Sequence, residues 1–91
     1  MSSKRLIIAG RVQGIGYRDW MVNQAHALGI DGWVRNRADG TVEALVSGTT
    51  DAVEELARAC RRGPRLAQVT SITEEKAEPP QEPGFVSRPS R

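Results

Sequence analysis

Apolar and polar positions along this chain alternate between two rhythms, one of short unbroken runs and one of helical spacing. Leu6 to Ala9 is an apolar run that stops at Gly10, the pattern of a buried strand. From Tyr17 the period lengthens. Tyr17, Met21, Ala25 and Leu28 recur at helical spacing, and Gly29 then Ile30 supplies a left-handed cap and its apolar follower, so a helix is expected from about Tyr17 to Leu28. Trp33 to Asn36 and Thr41 to Ser47 read as extended segments joined through Asp39-Gly40, which suits a tight antiparallel pair. Thr50 and Asp51 offer N-caps for a second helix to about Arg62, with Val53, Leu56, Ala57 and Cys60 as its apolar stripe and Gly63-Pro64 as its stop. Ala67 to Thr73 reads as a fourth strand. Phe85-Val86 is a brief edge strand ended by Pro89, after a Pro/Glu-rich loop over 74–84.

The order strand, helix, strand, strand, helix, strand is the split βαβ arrangement. It predicts an α+β, ferredoxin-like sandwich with two helices on one face of a four- to five-stranded antiparallel sheet. Ninety-one residues suit a single domain, 1–91. A formal net charge of +2 favours small anionic ligands and falls short of the dense basic face that nucleic-acid backbones require. One cysteine excludes an internal disulfide, and no apolar N-terminal segment of signal or membrane-span length is present, so a cytoplasmic location is expected.

Candidate chemistry begins at Gly10 to Arg18, GRVQGIGYR. Gly10, Gly14 and Gly16 permit positive φ, so consecutive backbone N–H groups can converge on one anion. Arg18 closes the segment with a planar, permanently charged fork that matches two phosphate oxygens. The expected helix starts there as well, adding its unpaired first-turn N–H groups and positive dipole end. Alone, this pattern more often describes an ordinary basic loop after a strand.

A second block, Gly32-Trp33-Val34-Arg35-Asn36 with Gly40, Val42 and Gly48, has fixed spacings of its own. With both blocks, IAGRVQGIGYR and GWVRNRADGTVEALVSG, the chain resembles the acylphosphatase family. Departures are small: Ile15 stands where that family usually has Val, and Tyr17 where it usually has Phe. The resemblance implies metal-independent hydrolysis of acyl phosphates to a carboxylate and inorganic phosphate, with no cofactor and with Arg18 and Asn36 as catalytic residues. Physical chemistry agrees, because the leaving carboxylate, with a conjugate-acid pKa of about 4 to 5, needs no general acid. What remains is to hold the phosphoryl group and place a water in line with the leaving oxygen. Arg18 and the N–H groups of Gln13, Gly14, Ile15, Gly16, Tyr17 and Arg18 are expected to bind phosphate, and Asn36 to orient the water.

Other polar residues are set aside. Asp19 compensates a helix dipole, His26 sits mid-helix without metal-spaced partners, and Cys60 lies on an apolar stripe. Arg58, Arg61, Arg62 and Arg65 suit the end of the second helix, and strand alternation turns Arg35 and Arg37 away from Asn36. The expected partner is a small-molecule acyl phosphate, and the expected state is a monomer that contacts neither nucleic acid nor membrane. Two alternatives remain open: a carrier or maturation module that binds carbamoyl phosphate, and a nucleic-acid module of the same topology.

Overall fold

The computed structural model describes residues 1–90. In chain order the elements are β1 (Ser2–Arg11), α1 (Tyr17–Leu28), β2 (Asp31–Asn36), β3 (Val42–Gly48), α2 (Thr50–Arg62), β4 (Gln68–Lys76) and β5 (Phe85–Ser87). They form the ferredoxin-like α+β fold, with a five-stranded sheet in the order β4-β1-β3-β2-β5.

Alternation along the strands builds the core. Leu6 and Ile8 of β1 lie opposite Ala44 and Val42 of β3, and Val34 of β2 also faces Ala44. All five side chains are fully buried, beneath Met21 and Ala25 of α1 and Val53, Leu56 and Cys60 of α2. Helical spacing thus turns one stripe of each helix onto one sheet face. The helices end as read, α1 at Gly29 (φ 67°) with Ile30 N–H donating to the Ala25 carbonyl at 2.9 Å.

Several details differ from expectation. The fifth strand runs parallel to β2, so the sheet is mixed rather than wholly antiparallel. Chain direction explains it: β4 runs antiparallel to β1 and so finishes at the end of the sheet where β1 and β2 begin, and a segment that crosses from there to the far edge runs beside β2 in the same sense. The loop expected over 74–84 starts later, because β4 continues to Lys76. Glu74 there meets Lys4 at 2.9 Å and Arg61 at 3.1 Å, and Glu75 meets Arg5 at 2.7 Å. Finally, α2 is capped by Thr49, whose hydroxyl accepts from Ala52 N–H at 3.2 Å, rather than by Thr50 or Asp51.

The opposite sheet face is open and holds an ionic group at its centre. Glu43, 3% exposed, accepts from Arg5 Nε at 2.5 Å and from Arg35 Nε at 2.7 Å. Burial pushes this carboxyl up, but the two guanidinium hydrogen bonds outweigh burial and hold it below the usual carboxylate range. A depressed folded pKa means stability that is present above the unfolded value and is lost as pH falls through the folded one. We therefore expect the natural chain to lose stability more steeply than Glu43→Gln below roughly pH 4. Urea midpoints taken from pH 7 to pH 3 check this, and parallel acid limbs for the two chains would contradict it.

Candidate active site

Residues between β1 and α1 alternate between anchoring and opening. Val12 is buried and Ile15 packs partly into the core, whereas Gly14 and Gly16 are exposed with φ of 75° and 81°. In this left-handed region glycine bears no steric penalty. A Cβ at either position would meet nothing within 4 Å, so conformation rather than crowding calls for glycine here. Gly10 is different. It sits at a register shift where β1 pairs with β4, and a Cβ there would lie 2.1 Å from the Gln68 carbonyl oxygen. It serves the sheet rather than the cradle.

Gly16 is the N-cap of α1, and no side chain caps that end, in contrast to Thr49 on α2. First-turn N–H groups of a helix need partners from outside it when no cap provides them. In front of this end lies a cavity of about 120 Å³ walled by Val12, Gly14, Gly16, Tyr17, Arg18, Asp19 and Asn36. Sites for drug-sized ligands run from roughly 300 Å³ upward, so this one suits a small anion with water. Arg18 and Asn36 therefore meet at one cavity although they are 18 positions apart in the sequence.

Gln13 and Ile15 belong to the same loop but not to the cavity wall. The Gln13 side chain turns the other way, donating from Nε2 to the Arg37 carbonyl at 2.8 Å and the Thr41 carbonyl at 2.9 Å. One amide thus clasps both ends of the β2–β3 hairpin beside Asn36, fixing the strand that carries Asn36 to the loop that precedes Arg18. Arg18 Nη1 donates to the Arg88 carbonyl at 3.1 Å, so the segment after β5 also touches the site. Neither contact had a local signal in the sequence. Asp19, set aside above as dipole compensation, does line the cavity.

Tyr17 buries its ring edge-to-face with Trp20, centroids 5.3 Å apart, and donates its hydroxyl to the Cys60 carbonyl at 2.6 Å. That carbonyl belongs to the last turn of α2, where helix carbonyls lack helical partners. Burial, with the nearby Cys60, raises the phenol far above its ordinary range and keeps it a donor. Burial likewise holds the Cys60 thiol up, to about 12, which rules it out as a thiolate nucleophile at neutral pH. Tyr17→Phe is expected to cost about 1–2 kcal/mol, because the Cys60 carbonyl stays buried without its donor. Thermal unfolding should show the midpoint falling by several degrees, and an unchanged midpoint would mean that the hydroxyl does not support α2.

The remaining residues lie where their chemistry sends them. His26 is at the α1 boundary, its Nε2 3.0 Å from the Phe85 carbonyl oxygen. Arg35 is engaged with Glu43 and Trp33 on the open face. Arg37 lies 4.0 Å from Asp39. Among the described residues no helix is long and apolar enough to cross a membrane.

Fold and cavity together define a ferredoxin-like α+β protein with a small cavity, lined by Arg18 and Asn36, at the entry to its first helix. The acylphosphatase profile matches residues 4–87. An acylphosphatase of Acidiphilium cryptum (strain JF-5) is 68% identical over 88 residues, covering 97% of each chain. One from Rhodospirillum rubrum is 52% identical over 83 residues, covering 91% of each. The crystal structure of acylphosphatase from Bacillus subtilis superposes with a TM-score of 0.88 at 33% identity, covering 96% of this chain and 97% of that one. The chain belongs to the acylphosphatase family, and acylphosphatase activity is its function.

Proposed function

We propose that this chain hydrolyses small acyl phosphates without metal or cofactor, using Arg18 and the backbone N–H groups of Gln13 to Arg18 for the phosphoryl group and Asn36 for the attacking water. The observation that carries this reading is the uncapped start of α1, opening with Arg18 and Asn36 onto one cavity. Its donors match what phosphoryl transfer from a good leaving group demands: fixed positive charge around the equatorial oxygens and one oriented nucleophile. Water attacks phosphorus as the bond from phosphorus to the acyl oxygen breaks. The electron pair leaves with the carboxylate, and the water proton passes to a phosphate oxygen.

The same reading makes residues 1–91 one domain, a cytoplasmic monomer acting on free metabolites. In its support, the large exposed apolar side chains are Met1, Leu66 and Val86, scattered rather than joined in a patch. Trp33 alone among the described aromatics stands on the open sheet face, since Tyr17, Trp20 and Phe85 pack into the core. A single aromatic makes a poor base-stacking platform.

The deciding experiment follows release of carboxylate and phosphate from acetyl phosphate and benzoyl phosphate in excess chelator. Turnover should be indifferent to the chelator. A folded chain that binds inorganic phosphate yet releases no product would point instead to the carrier reading.

A further inference from the structure

A second cleft, of about 400 Å³, lies on the open face of the sheet beneath the proline-rich loop before β5. That volume falls within the roughly 300–1,000 Å³ typical of small-molecule sites. Trp33, Leu45, Pro83 and Val86 give it apolar walls, and Arg88 and Glu82 give it charge.

Trp33 carries two guanidinium groups. Arg35 lies with Cζ 4.7 Å from the ring centroid and spends its Nε on Glu43. Arg88 lies with Cζ 5.2 Å away. Among the described residues no carboxylate comes within 4.0 Å of Arg88. Stacking uses the flat face of a guanidinium and leaves its in-plane donors open. Arg88 is thus an exposed guanidinium with open donors over an aromatic ring, at one side of a cleft that also has apolar walls. A carboxylate matches a guanidinium fork through two parallel hydrogen bonds.

We propose that this cleft binds a small monocarboxylate with an apolar body, its carboxylate on Arg88 and its body between Trp33 and Pro83. Charge limits the ligand to one negative group, since Arg88 brings one positive charge and Glu82 repels a second anion. The cleft also lacks the glycine-built loop and helix N-terminus that suit phosphate at the cradle. Carboxylates are what acyl phosphate hydrolysis releases, so the cleft's use as a product site rests on the function proposed above; binding itself does not.

Benzoate is a suitable probe. Calorimetric titration of the full chain with inorganic phosphate saturating the cradle should give a dissociation constant on the order of millimolar. Benzamide, isosteric and neutral, should not bind. Arg88→Gln should weaken benzoate at least tenfold, while Glu82→Gln should tighten it severalfold, a gain that a misfolded variant could not produce. In the Trp20→Phe variant, whose one remaining tryptophan is Trp33, benzoate should change the fluorescence. Displacement of benzoate by phosphate would place it in the cradle and overturn the proposal. So would affinity unaffected by Arg88→Gln, or no binding at tens of millimolar.

Discussion

Arg18→Ala is expected to lower kcat/KM for acetyl phosphate by about a thousandfold, the scale seen when a preorganised donor to developing charge is removed. The cavity has one cationic side chain in its wall, so no neighbour takes over that charge. Loss should appear in binding as well, because in the proposed role the guanidinium would face phosphate oxygens in the ground state and in the transition state. Inorganic phosphate should therefore nearly cease to compete. Arg18→Lys should recover only part of the rate, since an ammonium keeps the charge but not the two-pronged geometry. Folding should be little affected: Arg18 is half-buried at the start of α1, and its hydrogen bond to the Arg88 carbonyl lies in an exposed setting. Surface substitutions of this kind usually change stability by less than about 0.5 kcal/mol. Steady-state kinetics with phosphate as inhibitor, beside a urea titration, separates the two effects. A variant with normal stability and a rate loss below tenfold would remove Arg18 from the chemistry.

How much of this was legible in the sequence depended on how local the cause was. The first helix has the bounds that its period and Gly29 indicated, because both signals lie within the helix itself. β1 proved longer than Leu6 to Ala9, extending from Ser2 to Arg11. Its N-terminal residues are polar, and they extend because Lys4 and Arg5 find carboxylates on β4, a partner about 70 positions away in the sequence. The parallel course of β5 is likewise a consequence of where β4 ends, which no residue near Phe85 announces. At the site, the two signature blocks singled out Gly14, Gly16, Arg18 and Asn36, which the fold brings to one cavity, whereas Gly10 belongs to the sheet; the roles expected of them are what the variants test. The Gln13 clasp and the Arg88 carbonyl escaped notice, for both act through backbone carbonyls, which look the same at every position of a sequence. The cap of α2 is Thr49 rather than the expected Thr50 or Asp51, since neighbouring threonines carry the same hydroxyl and only the starting turn of the helix distinguishes them.

Asn36→Ala is expected to lower kcat by about a hundredfold or more while phosphate inhibition stays within a few-fold of the natural chain, because misplacing a reactant is itself worth about that factor. Asn36 is the last residue of β2, and its strand is pinned next door by Gln13 through the Arg37 and Thr41 carbonyls. Removing the amide should therefore leave the cradle in place and withdraw only the group proposed to orient water. A residue serving the hairpin alone would behave differently, with stability and phosphate affinity falling together. Asn36→Asp sharpens the distinction. Its shape is conserved, but its carboxylate adds negative charge at the cavity wall and should weaken phosphate binding at neutral pH. As pH falls through the ordinary carboxylate range near 4 the new group becomes neutral, and phosphate affinity should recover relative to the natural chain. Rate and inhibition profiles between pH 3.5 and 7 for the three chains test this, and an Asn36→Asp variant whose phosphate affinity ignored pH would place residue 36 away from the bound anion.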